Sequence, residues 1–352
     1  MALAFYLPAE WEWQESIQLT WPDGHTDWAP YLDAITSTFI VLAKAITSHE
    51  RLIIAAANPS AVDAILNKVL DKGQLSRVTV YACPINDTWA RDHAPLTLVS
   101  RSAALPQPAS QRFRLLNFRF NGWGEKFAWD KDNKITGTLY GQGAYTGLLE
   151  DHDDFVLEGG SVESDGKGTV FTTACCLLAP HRNQPLNKDE ITERLKRWLH
   201  AERIVWLNHG RLQGDDTDGH IDTIVRVCPN DTLAYVRCDD PDDEQYEDFR
   251  ALEEELQSLT TTDGRPYRLL PLPMPRRMED DGYRLPATYA NFVILNGAVL
   301  VPTYQQPDND NKAMDVIAKA FPDRKIIGID ATTVVRQHGS LHCLTMQFPA
   351  VG

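Results

Sequence analysis

The sequence lacks a long apolar run, an excess of basic residues, and any cysteine spacing that signals pairing or metal binding. Nowhere in its 352 residues do 18 uncharged apolar residues follow one another, so no segment reads as a membrane span. The opening Met-Ala-Leu-Ala-Phe-Tyr-Leu-Pro-Ala-Glu-Trp has neither the basic nor the apolar stretch of a secretory leader, and the expectation is a cytoplasmic protein. Lys and Arg total 34 against 49 Asp and Glu, giving a formal net charge of −15. That balance excludes nucleic acid and anionic membrane as natural partners and suits a small cation instead. Six cysteines, at 83, 175, 176, 228, 238 and 343, are scattered along the chain and read as reduced thiols. The adjacent pair Cys175-Cys176 reads as strand packing, since neighbours in sequence do not form an unstrained bridge.

What is present is an alternation of strand and helix. Ser37 to Ala45 has helical character, 51–56 reads as strand, Ala61 to Leu70 as helix and 77–81 as strand. The pattern recurs with Glu193 to Leu199 as helix, 203–207 as strand and 223–227 with 233–236 as a strand pair. Phe249 to Leu259 then reads as helix, 267–270 as strand, and 292–301 as a hairpin turning at Asn296-Gly297. A helix over Ala313 to Ala320 and strands over 325–329 and 343–347 complete the chain. No glycine-rich phosphate loop opens any of these helices. The Pro-rich 270–275 and the acidic Asp239 to Asp248 read as surface connections, and no low-complexity linker divides the sequence. Two strands, a helix and a further strand, repeated, predict an α/β array of similar modules within a single domain, 1–352.

Four short motifs carry the chemistry: Trp89-Ala-Arg-Asp92, Leu157-Glu-Gly-Gly160, Gly219-His-Ile-Asp222 and His338-Gly-Ser-Leu-His-Cys343. They supply a thiol, an imidazole and three carboxylates. Carboxylates can grip the N–H edges of a planar guanidinium while a thiolate approaches its carbon from above the plane, so the inventory points to a cationic, nitrogen-rich substrate. On a strand, His220 and Asp222 would share one face, and Cys343 would start a strand just after a glycine loop. Gly159-Gly160 lets the backbone turn tightly beside a ligand. Asp215-Asp-Thr-Asp218 is rich in oxygen ligands, but its spacing is not that of a calcium loop, and Asp216 and Asp218 read instead as receivers of a distal positive charge. Trp89 and Trp123 are candidates for an aromatic channel around an aliphatic amine.

These motifs, with Pro8-Ala-Glu-Trp11, Thr20-Trp-Pro22, Phe120-Asn-Gly-Trp-Gly124 and Tyr289-Ala-Asn-Phe292, resemble those of the agmatine deiminases. That family is grouped with the bacterial-type peptidylarginine deiminases in the guanidine-modifying superfamily. The resemblance implies a five-fold pseudosymmetric α/β propeller of ββαβ modules, the pentein fold, with the active site at its centre. It also implies Cys343 as nucleophile, His220 as acid and base, Asp92 and Asp222 as guanidinium ligands, Glu158 in support and Asn291 assisting. The family often has Gly-Gly-Gly-Asn-Ile-His-Cys where this chain has Gln337-His-Gly-Ser-Leu-His-Cys343.

The expected reaction is hydrolysis of agmatine to N-carbamoylputrescine and ammonia through a covalent thiouronium, without metal or organic cofactor. The resemblance leaves a homodimer open. Deimination of peptidyl arginine is the alternative substrate reading. A silent binding protein and a metal hydrolase built on Asp215 to Asp222 are the readings from other classes.

Overall fold

Residues 4–101 and 108–350 are described by the structure, a computed structural model. Among them, five of the six sheets contain the same arrangement, an antiparallel pair followed by a parallel strand. Val162–Ser164 runs antiparallel to Thr169–Thr173, which pairs in parallel with Arg203–Leu207. Val225–Cys228, Thr232–Arg237 and Arg268–Pro273 repeat this, as do Val293–Leu295, Ala298–Thr303 and Lys325–Asp330. Leu96–Ser100, Phe113–Arg119 and Leu148–Val156 form the equivalent set, with a short extra strand at the edge. In the remaining sheet, Gln14–Thr20 pairs in parallel with Arg51–Ala56, and its antiparallel partner comes from the far end of the chain, Thr345–Pro349. A last strand therefore completes the first sheet.

Parallel neighbours need a crossover, and helices supply it. Leu32–His49, Lys188–Trp198, Tyr246–Ser258 and Pro307–Ala320 each connect a parallel pair. Leu32–His49 lies within a stretch, Ala29–His49, apolar and long enough to span a membrane on composition alone. Here it buries Ile35, Phe39, Leu42, Ala43 and Ile46 in the core and turns Asp33 and Lys44 outward. Strands covered on both faces read as unbroken apolar runs, and Ala298, Val299, Leu300 and Val301 are all fully buried. The hairpin turns where predicted, with Gly297 in the left-handed region at φ 82°.

Three local readings change. Cys175-Cys176 lies on a helical turn, Ala174–Leu177, that follows a strand instead of forming one. The Pro-rich segment is partly strand, because Arg268–Pro273 is the outer member of its sheet and Pro271 and Pro273 need no donor on the open side. The last strand begins at Thr345 and leaves Cys343 in the turn before it.

The five antiparallel pairs share a further property that decides where chemistry can occur. The segment immediately before the first strand of each pair carries the motif residues: Asp92 before Leu96, Glu158 before Val162, His220 and Asp222 before Val225, Asn291 before Val293, and Cys343 before Thr345. One position in each module is thus brought to a common region.

Below these segments lies the fully buried guanidinium of Arg226. Its Nε is 2.6 Å from Glu163 Oε1 and its Nη2 is 2.7 Å from Glu10 Oε2. Its Nη1 donates to the carbonyls of Ala290 and Phe292, and the guanidinium lies 4.4 Å from the centre of the Phe292 ring. Glu163 also accepts from the Val227 backbone at 2.9 Å. Removing one partner of such a cluster strands a buried charge, so Glu163→Ala is expected to cost about 3–5 kcal/mol in urea-induced unfolding.

Candidate active site

Each motif segment is a tight turn, which is how fully buried side chains can converge from different sheets. Asp92 is on the helical turn Ala90–His93, and Gly159–Ser161 and Ile221–Thr223 are single 3-10 turns. His220 and Asp222 therefore do not share a strand face. The turn instead brings both side chains over Gly160. A β-carbon on Gly160 would lie 2.6 Å from His220 Nδ1, 2.9 Å from Asp92 Oδ1 and 3.2 Å from Asp222 Oδ2. Glycine is required there because three functional groups occupy the volume a side chain would need.

Asp92 is held by two donors, the Gly160 backbone N–H to Oδ1 and Trp123 Nε1–H to Oδ2, both at 3.0 Å. Its Oδ1 is 3.6 Å from His220 Nδ1, an ion-pair separation longer than a hydrogen bond. Burial, reinforced by Asp222 and Glu158, raises the Asp92 carboxyl to about 6 against the pull of His220. Asp222 is also pushed up by burial, but the hydrogen bond and charge of His342, with His220 and Arg226, hold it below the usual carboxylate range. For His220 burial works downward. Asp92, the Cys176 sulfur and Glu158 outweigh it and keep the imidazole well above its ordinary value.

Cys343 Sγ is 3.9 Å from Asp222 Oδ2. Burial first, then Asp222 and Asp92, raise its thiol well above the usual cysteine range. Glu158 is fully buried, with Arg182 Nε 2.9 Å from its Oε1 in an off-axis ion pair. Asp222 Oδ1, both oxygens of Glu158 and both ring nitrogens of His220 are buried without a hydrogen-bond partner. Buried polar atoms are seldom left so.

A cavity of about 150 Å³ reaches Cys343 and Asp92, lined also by Trp89, Trp123 and Asp216. Asp218 is not part of its wall; its carboxylate is engaged by Lys126 at 2.8 Å and Arg182 at 2.9 Å. Asn291 is directed elsewhere too. Its Oδ1 accepts from the backbone of His342 and Cys343, at 2.9 and 3.2 Å, and its Nδ2 donates to the Asp222 carbonyl. Asn291 thus sets the turn that bears Cys343 and the Asp222 backbone.

Three comparisons with known proteins bear on this geometry. The chain matches the family model of Porphyromonas-type peptidyl-arginine deiminase over residues 6–349. The chain belongs to that family. Among similar solved structures is one from Porphyromonas gingivalis described provisionally as an arginine deiminase, 47% identical with a TM-score of 0.90, covering 98% of each chain. Another is a Campylobacter jejuni agmatine deiminase with substrate bound, 34% identical with a TM-score of 0.88, covering 98% of this chain and 96% of that one. The agmatine deiminase of Medicago truncatula is 30% identical over 99% of this chain and 97% of its own length.

Several residues that shape this deiminase-family site were not singled out from the sequence. Asp27, Asp87 and His338 join Asp216 in the cavity wall. Asp87 Oδ2 accepts from Trp89 Nε1 at 2.9 Å and its Oδ1 from Trp28 Nε1 at 3.1 Å, and burial raises its carboxyl to about 6. Asp216 is also raised to about 6, by burial and then by Asp215. A carboxylate two residues before a motif tryptophan gives little sequence signal, and Arg182 gives none.

Among the described residues, two groups have metal-compatible spacing, Glu158, Cys176 and His220, and Glu10, Glu163 and His342, with candidate ligand atoms within 4.8 Å of one another. Each already faces an arginine: Arg182 pairs with Glu158, and Arg226 with Glu10 and Glu163. In the loop read as a metal alternative, Asp215 accepts from Thr217 Oγ1 and from the Gly219 backbone, both at 2.6 Å, so that carboxylate shapes the turn.

Two outcomes follow for the family chemistry. Gly160→Ala is expected to keep the fold by circular dichroism and lose at least about 100-fold in kcat/KM, the cost of displacing positioned groups by an ångström. Asp92 must be ionised to hold a cation, so kcat/KM is expected to fall as pH drops through about 6. A pH–rate profile measured from 5 to 8 checks this.

Proposed function

We propose that this chain is an agmatine deiminase, hydrolysing the guanidinium of agmatine to N-carbamoylputrescine and ammonia. The observation that carries the reading is the pairing of Cys343 with two buried carboxylates, Asp222 with Oδ2 3.9 Å from the sulfur and Oδ1 without a partner, and Asp92 in the same cavity wall as the thiol. A guanidinium offers N–H donors on every edge, suited to both carboxylates. Asp92 and Asp222 take its edges and stop it rotating, so that its carbon faces the sulfur.

Arrival of the cation reverses the field that keeps the thiol protonated. Asp222 and Asp92, which with burial raise the Cys343 thiol, are then neutralised by substrate, and the proton leaves to solvent. The thiolate forms an S–C bond to give a tetrahedral centre. His220, already charged, gives its proton to the departing nitrogen as the C–N bond breaks and ammonia leaves a thiouronium. The now neutral imidazole takes a proton from water, hydroxide adds to the same carbon, and the C–S bond breaks as the hydroxyl proton passes to the departing sulfur, releasing the ureido product and restoring the thiol. Glu158 supports the charged imidazole. No step calls for a metal or organic cofactor.

At the outer part of the cavity, Asp27, Asp87 and Asp216 meet the agmatine ammonium between Trp89 and Trp123. Free arginine would bring a carboxylate into this acidic rim. The repeated strand plan and the equivalent position of each motif segment support a five-fold pseudosymmetric propeller with this site at its centre, formed by the chain as one domain. The fuller reading places the protein in the cytoplasm, in putrescine formation or agmatine breakdown, with a homodimer open.

Peptidyl arginine is the second reading, favoured by the family's description and tested by the same experiment. Ammonia and ureido-product release are measured from agmatine, free arginine and a blocked arginyl peptide, with Cys343→Ala in parallel. Agmatine is expected to exceed arginine by at least about 100-fold in kcat/KM, with no turnover in the variant. Turnover of the peptide alone would transfer the site to the second reading. Asp87→Asn and Asp216→Asn are each expected to raise KM for agmatine about ten-fold with kcat little changed, the loss of one ionic contact at the rim.

A further inference from the structure

We propose that His342 is a positioning residue for the reaction: its ring fixes the orientation and charge of the Asp222 carboxylate, backed by Glu10 and Arg226. The proposal rests on the reading that Asp222 grips the substrate guanidinium.

The geometry separates the two oxygens of Asp222. Oδ2 accepts from His342 Nδ1 at 2.7 Å, while Oδ1 is buried without a partner. One oxygen is anchored and the other is left for a substrate N–H. The far nitrogen of the ring, His342 Nε2, is 2.8 Å from Glu10 Oε2 and 3.1 Å from Arg226 Nη2. The imidazole therefore bridges the carboxylate above and the ion cluster below. Its main chain is tied as well, since the His342 N–H donates to Asn291 Oδ1 and the next residue is Cys343. A single residue thus links the nucleophile's turn to the carboxylate 3.9 Å from the sulfur.

The charge surroundings of Asp222 make the ring's contribution decisive. His220 is two residues before it, Arg91 and Asp92 face it from the Ala90–His93 turn, Arg226 from the strand Val225–Cys228, and His342 and Cys343 from the turn before the last strand. Burial and Asp92 favour the neutral carboxyl. His342, by hydrogen bond and by charge, is the leading opposing influence, followed by His220 and Arg226. Without it Asp222 takes up a proton at a higher pH and loses its grip on the substrate.

The test compares His342→Gln, His342→Asn and Glu10→Gln with wild type. An asparagine amide nitrogen reaches the position of Nδ1, and a glutamine amide nitrogen that of Nε2. The Asn variant therefore keeps the donor to Asp222, and the Gln variant keeps only the one toward Glu10. His342→Gln is expected to lose about ten- to a hundred-fold in kcat/KM, with Asp222 now joining Asp92 on the acid limb, which becomes steeper and moves to higher pH. His342→Asn should recover most of that loss, and Glu10→Gln should move the limb the same way by less. Melting temperatures report folding separately. A wild-type acid limb in His342→Gln, or equal losses in the Gln and Asn variants, would overturn the proposal. If His342→Gln does not fold, Glu10→Gln decides: an upward shift supports the proposal and an unchanged limb overturns it.

The same comparison is run without agmatine, following alkylation of Cys343 by chloroacetamidine, an amidinium with no tail, by intact mass against pH. A wild type that is alkylated but turns over no guanidine would sink the agmatine reading, while the shift between variants still reports on Asp222.

Discussion

The buried positive charge of Arg226 is the constraint on which the rest of the site depends. A guanidinium with no solvent access must be matched from all sides, and its partners come from distant parts of the chain: Glu10, Glu163, and the carbonyls of Ala290 and Phe292. Through His342 the same cluster reaches Asp222. Replacing such a network with apolar side chains often leaves a protein as stable or more so, which makes stability a poor reason for its presence. Its geometric effect is clearer. It fixes the relative positions of segments from several sheets, and the functional turns are continuous with those segments.

Above this cluster the site is organised by charge opposition. Asp92 lies close to Asp222 and Glu158, and both make it harder to ionise. Arg182, His220 and His342 offset part of that repulsion, but both Asp92 and the Cys343 thiol stay raised. In the proposed reaction a planar cation supplies the opposing charge. Binding and activation of the nucleophile then become one event, since the charge that is bound is the charge that favours the thiolate.

The chemistry was more legible in the sequence than the geometry that produces it. Cys343, His220, Asp92, Asp222 and Glu158 stand in short motifs whose residue types have few joint uses, and the structure brings them together. Their local conformations were harder to read. His220-Ile-Asp222 has strand-like spacing, yet it forms a 3-10 turn, because convergence on Gly160 is imposed by contacts far away in sequence. Helix starts were read late for a local reason. Lys188–Trp198 opens with Asn187, Asp189 and Glu190, a polar capping turn that apolar periodicity passes over. Asp218 looked available near His220, but Arg182 and Lys126 occupy it, and neither cation is near it in sequence. Pairings across dozens of residues leave no local pattern.

The strand Thr345–Pro349, which supplies the antiparallel partner of Gln14–Thr20, directly follows the turn that bears Cys343. During synthesis the first sheet waits for that strand while the intervening modules are made. The nucleophile and the missing edge of the first sheet emerge almost together, so a half-made chain has neither. The Cys343 thiol is thus withheld until the sheet beside it can close, and its place depends on that one strand staying paired.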